Sequence, residues 1–223
     1  MTHISPIKQR IRIIFGKFDA LKYTGNLDLA KIWERVLRRA RLPILYTQGF
    51  NTRPRIQLAS ALPLGITSEC EILDVALKES VPLDGLAEHL LSVSPKGLRI
   101  YTIHEVETTG PALQTLVRSA EYRIRFEDSI DPTHMQAQID RVLTSGEILK
   151  ISERKGKTKT VDLRPLILDL TVESSGDLIA HLAVGGRGNI RPDAVLEEME
   201  WDTFHHTIHR FRLHLDTPEA DGE

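Results

Sequence analysis

Residues 10–43, RIRIIFGKFDALKYTGNLDLAKIWERVLRRARLP, change their repeat midway. Arg and Ile alternate through 10–16, the two-residue period of a strand with one wet face. After Asn26 or Asp28, either of which suits a helix N-cap, the period becomes three and four residues. Leu29, Trp33, Val36, Leu37 and Ala40 then share one stripe and predict a buried helix face running to about Arg41, with Pro43 as the stop. Lys31, Arg35, Arg38 and Arg39 lie opposite that stripe at the same spacing.

Two extended runs follow, near 55–62 and 69–78, with Pro63 and Gly65 supplying the turn between them. VPLDGLAEHLLSV (81–93) predicts a second helix buried through Leu83, Leu86, Ala87, Leu90 and Leu91. LRIYTIHEVE (98–107) predicts a closing strand. Strand–helix–strand–strand–helix–strand is the ferredoxin-like order. Past a spacer with Gly110 and Pro111 the order repeats. EYRIRFE (121–127) is a strand, and Pro132 to about Thr144 is a helix with Met135, Ile139 and Val142 inward. A hairpin follows across Ser175-Gly176, then a short helix in RPDAVLEEM (191–199) and a strand in HHTIHRFRLHL (205–215). The expected architecture is α+β: two tandem ferredoxin-like (βαββαβ) domains, 8–108 and 119–216, the second with an inserted basic β-ribbon near 148–165. One larger α+β sheet is the alternative.

The charge is unevenly spread. Residues 1–55 hold 12 Lys and Arg against 3 carboxylates, a net of +9, and the remainder carries −11, so a near-neutral −2 hides a basic amino-terminal quarter. Residues 35–55 contain six arginines and no acid. Such clustering favours a polyanion, nucleic acid first. The 223 residues fit one large domain or two small ones. The start MTHISPIKQR has no signal-like apolar core and no run reaches membrane-helix length, so a cytoplasmic protein without a membrane partner is expected. The single cysteine, Cys70, excludes an intrachain disulfide and is expected as a small buried filler.

Several groups are candidates for chemistry. Gln48 and Asn51 carry amides that read base edges, Phe50 offers a stacking ring, and Arg53 and Arg55 extend the basic surface of Lys31, Arg35, Arg38 and Arg39. Lys155, Lys157 and Lys159 at the ribbon tip supply point charges for a phosphate backbone, or merely a soluble tip. Gly185, Gly186 and Gly188 read as a strand-to-helix turn before a phosphate cradle, because the GxGxxG spacing is missing. His205, His206, His209 and His214 divide between two strand faces and lack metal-ligand spacing, so neither a metal nor another cofactor is expected. Glu69 and Glu71 read as a wet strand face.

The run from Asn26 to Val75 resembles the radical SAM-linked protein family, whose pattern is close to SHLDL, RALRRAGLP, YSQGFNPHPK and LPLGxxSxxE. RSAEYRIRF, KTVDLRPLI and NIRPDAVLEEM resemble it further along. Members are typically encoded beside, or fused to, a radical S-adenosylmethionine protein, so the resemblance implies such a partner. This chain has Asn26 and Arg53 where the family pattern has histidine. Amide and guanidinium groups do not exchange protons near neutral pH, which counts against catalysis at these positions and leaves binding intact. The layout is also similar, at the level of fold, to CRISPR repeat-processing endoribonucleases.

The function expected is an RNA-binding accessory protein that presents tRNA or rRNA to a radical SAM partner and makes no covalent change itself. A metal-independent endoribonuclease and a protein-interaction module that binds the radical SAM partner without nucleic acid are the alternatives.

Overall fold

The computed structural model describes residues 6–128, 130–154, 157–186 and 188–216. The fold is mixed α+β, with most of its ordered residues in strands, and the described chain divides into two compact units, 6–117 and 118–216. No helix among the described residues is long and apolar enough to cross a membrane.

In the first unit β1 (Gln9–Lys17) pairs antiparallel with both β4 (Leu98–Val106) and β3 (Thr67–Leu77), placing Ile13 between Ile103 and Leu73. Short β2 (Ile56–Leu58) pairs with β3, Gln57 opposite Asp74. The order is therefore fourth, first, third, second. Helix α1 (Asn26–Arg39) and helix α2 (Leu86–Ser92) bury their stripes against one face. Ile11, Ile13, Phe15, Leu73, Val75 and Leu77 meet Leu29, Trp33, Val36, Leu37, Leu86 and Leu90 there. Phe15 and Trp33 pack edge to face at 4.9 Å, a geometry that aromatic quadrupoles favour.

The other sheet face carries charge. Asp74, 2% exposed, accepts from Arg10 Nε (3.1 Å) and Nη2 (2.6 Å) and from Arg12 Nε (2.7 Å) and Nη2 (2.9 Å). Two arginines on one carboxylate leave a net positive charge. Arg10 also donates to the carbonyls of Gly110 (3.3 Å) and Pro111 (3.2 Å), so it ties the spacer across this face. A short helix, α3 (Leu113–Leu116), follows.

In the second unit the order is β10 (His206–Leu215), β5 (Val117–Phe126), β9 (Leu178–Ala183), β8 (Ile167–Val172). Helices α4 (Pro132–Thr144) and α5 (Pro192–Glu198) contribute Met135, Ile139, Val142, Val195 and Leu196 to its buried residues. Strands β6 (Leu149–Arg154) and β7 (Lys157–Asp162) form a separate two-stranded ribbon.

Several details differ from the sequence reading. The first helix is capped at Gly25, with no side-chain cap bond from Asn26 or Asp28. The second begins at Leu86, not near Val81, because Pro82 and a left-handed Gly85 (φ +70°) precede it, and Leu91 stays partly exposed. The strand expected over 55–62 shrinks to three residues. Cys70 is half-buried beside Ser68 Oγ at 3.6 Å, not a sealed core filler. Glu71 is buried while Glu69 is exposed, so the pair is not one wet face.

Candidate nucleic-acid interface

Helix α1 turns Lys31, Arg35, Arg38 and Arg39 outward because its apolar stripe takes the opposite side. Lys31 pairs weakly with exposed Asp28 at 3.3 Å. The helix ends in a left-handed turn: Arg41 N–H donates to Arg38 O and Leu42 N–H to Leu37 O, with Arg41 at φ +56°. This hydrogen-bond pair is the Schellman stop, in which glycine is the usual residue.

Beyond Pro43 the chain runs beside the end of β3, with Ile44 bridged to Leu77 and Leu45 N–H bonded to Ala76 O. It then projects as a loop closed by the Tyr46–Pro54 bridge and by Thr47 N–H to Arg53 O at 2.8 Å. Gly49, at φ +119°, makes the turn, and Gln48, Phe50, Asn51 and Arg53 are all exposed. Phe50 is fully so, the most exposed large apolar side chain among the described residues.

Most arginines outside this region are ion-paired, although the Arg164 side chain bonds, among the described residues, only the carbonyls of Leu143 and Ile167. Arg10, Arg12, Arg118, Arg123, Arg125, Arg141, Arg191 and Arg212 each hold a carboxylate. Among the described residues, the side chains of Arg35, Arg38, Arg39, Arg41, Arg53 and Arg55 hold none. These guanidinium groups keep their full donor capacity for an external anion. The helical spacing left Arg41 off the predicted face, yet it ends exposed and unpaired. Membership of the acid-free run 35–55 was the available signal.

The residues do not all share one side. Arg35, Arg38 and Arg39 stand on the outer face of α1. Arg55 instead lines a cleft of about 240 Å³ with Arg10, Gln57, Asp74, Thr108 and Ala112, on the sheet face opposite α1 and α2. The loop 47–53 leaves the chain between these two groups of residues.

In the second unit, β5, β9 and β10 assemble a polar row. His214 Nε2 donates to Glu121 Oε1 at 2.7 Å, Arg212 Nη1 donates to the same oxygen at 3.2 Å, and His181 Nε2 lies 2.8 Å from Ser119 Oγ. The two imidazole rings are 4.9 Å apart. Burial, followed by the charge of His214, lowers the His181 pKa. Burial raises the Glu121 carboxyl, but the His214 hydrogen bond and the charges of Arg212, His214 and His181 outweigh it and hold the group below its ordinary value. Ring contact at this distance leaves no room for a phosphodiester between the imidazoles.

No three His, Cys, Asp or Glu side chains converge in metal-binding geometry among the described residues. His206 Nδ1 engages Phe204 O at 2.6 Å, and His205 is exposed. Gly185, at φ +114°, makes a turn after β9, and helix α5 beyond it has only seven residues. Lys155 lies outside the described residues. Lys157 and Lys159 lie on β7, opposite Arg154 and Ser152.

Residues 10–192 match the family described as "Uncharacterized protein conserved in bacteria (DUF2344)". The chain belongs to this family. No curated protein matches the DUF2344 chain by sequence. Among solved structures, a chain of "Crystal Structure of a Cbf5-Nop10-Gar1 Complex" is similar at 12% identity, with a TM-score of 0.43 over 93% of this chain and 49% of that one. A likeness so slight carries no functional argument, and the DUF2344 chain spans about half the length of that neighbour.

Proposed function

We propose that the protein is an RNA-binding accessory factor that presents RNA, tRNA or rRNA, to a radical SAM partner in the cytoplasm without altering the RNA itself. Two ferredoxin-like domains, 8–108 and 119–216, would carry it. The fourth-first-third-second strand order in each unit supports that division. The radical SAM partner rests on the sequence resemblance alone.

One observation carries the RNA reading: six exposed arginines within 35–55 have no carboxylate partner among the described residues, beside a fully exposed Phe50. Unpaired guanidinium groups suit phosphate, and a solvated ring suits a base. Lys31, Gln48, Asn51 and the ribbon lysines Lys155, Lys157 and Lys159 complete the proposed contacts.

Salt titration tests this. Log K for single-stranded RNA should fall with log salt at about −0.7 per neutralised phosphate. Arg38→Ala/Arg39→Ala should weaken binding and flatten the slope by about one to two units, with folding stability changed by less than about 0.5 kcal/mol. Gln48→Ala or Asn51→Ala should instead change preference among sequences. Unchanged affinity and slope in the folded double variant would remove the RNA reading and leave the arginines to an acidic protein surface. RNA shortened during incubation would favour the nuclease alternative.

A further inference from the structure

The cleft on the sheet face opposite α1 and α2 has a chemistry that the basic helix lacks. Its volume of about 240 Å³ falls below the roughly 300–1,000 Å³ of sites for drug-sized ligands. It suits one planar ring system and excludes a duplex. Ala76, Ala112, Ile7 and Pro111 give it apolar walls, and Arg55, Gln57 and Thr108 give it polar edges. Gln57 Oε1 accepts from Leu113 N–H at 3.0 Å, which fixes the amide and leaves Nε2 as a donor without a partner among the described residues. Asp74 is spent on Arg10 and Arg12 and brings no net negative charge to the floor. Arg55 stands at the same cleft with no carboxylate partner among the described residues. It lies five positions along the chain from Phe50, a reach of no more than about 18 Å.

We propose that this cleft receives the base of one unpaired nucleotide of the bound RNA, with Arg55 at its phosphate and Gln57 Nε2 and Thr108 Oγ1 at the base edge. The proposal rests on the RNA-binding reading and narrows it to single-stranded segments. A base inside a duplex has its faces covered and its edge paired, so neither Phe50 nor the cleft has access to it. At Ala76 and Ala112 the wall leaves space for a ring where larger side chains would fill it. An amide donor with a fixed orientation discriminates carbonyl-bearing base edges, whereas the arginines of α1 grip any phosphate backbone.

The test titrates the full chain, ¹⁵N-labelled, with uridine and adenosine 5′-monophosphates, with a short single-stranded RNA and with a duplex of the same sequence. Amide shifts around 108–113 are expected with the mononucleotides, and tighter binding is expected for the single strand than for the duplex. Ala112→Phe fills the cleft and should weaken mononucleotide and single-strand binding about tenfold, the scale of one lost base contact, without flattening the salt slope. Thr108→Val adds no bulk and should change the preference between the two mononucleotides, so the proposal stays testable if the larger variant folds poorly. Wild-type affinity in folded Ala112→Phe, or no mononucleotide shifts near the cleft, would overturn the proposal. Salt-sensitive RNA binding with a silent cleft removes the pocket and keeps the RNA reading. Mononucleotide binding without salt-sensitive RNA binding does the reverse.

Discussion

Arg41 holds a backbone conformation that suits glycine better. A left-handed residue with a side chain costs roughly 1–2 kcal/mol, partly offset by a cation near a helix C-terminus and by the greater chain entropy that glycine loses on folding. Arg41→Gly should therefore stabilise the protein slightly, by about 0.5 kcal/mol, while weakening RNA binding. Paired urea melts and binding titrations check the opposite signs, and a loss of stability would mean that Arg41 makes a compensating contact. Asp74 shows the reverse balance. It is buried beneath two arginines, so Asp74→Ala strands both charges and should cost about 3–5 kcal/mol, read from the denaturation midpoint. Neither effect is visible in the sequence. ECEILDVAL shows that Asp74 lies in a strand, but its partners are 62 and 64 residues away and depend on cross-strand register.

At the scale of elements, what the sequence made legible was periodicity. Leu29, Trp33, Val36 and Leu37 are buried as the helical spacing predicts, and Lys31, Arg35, Arg38 and Arg39 face out. The second helix is shorter than its pattern because Pro82 and Gly85 cannot enter a helix cheaply, although Leu83 still packs on the core. The His181–Glu121 row was missed, since its members come from three strands and have no local spacing. That row predicts a pH effect. His181 faces Glu121 on β5, Asp169 on β8, and Arg212 and His214 on β10. Its folded pKa lies below the ordinary 6.5, so below that pH the unfolded chain binds the extra proton and the folded chain resists it. Stability should then fall as the pH drops from about 6.5. The lowered Glu121 and Asp177 carboxyls extend the fall at more acid pH. His181→Gln should remove the upper part of that decline in denaturation midpoints measured across the range. An unchanged pH profile would show that the imidazole stays solvated.

For the whole molecule, the charge asymmetry between residues 1–55 and the rest was plain in the sequence, but the division of its arginines between a helix face and a sheet cleft was not. Strand register decides that Arg55 lies level with Ala76 and on the side of Asp74. The proposed contacts on α1 and on the ribbon predict a dependence on RNA length. A short oligonucleotide should engage one group of the proposed contacts at a time. On the proposed RNA reading, an oligonucleotide long enough to reach the ribbon lysines as well as the α1 arginines should gain the second contact at high effective concentration. Affinity should rise in a step once the RNA is long enough, rather than smoothly with the number of nucleotides. Lys155→Ala/Lys157→Ala/Lys159→Ala should abolish the step while leaving the affinity for short RNA near wild type. The variant's salt slope should fall by up to about 2 units on long RNA, at about 0.7 per lost phosphate contact, and remain unchanged on short RNA. A triple variant that binds long RNA with the wild-type slope would assign the ribbon to another role and confine the RNA contacts to the first unit.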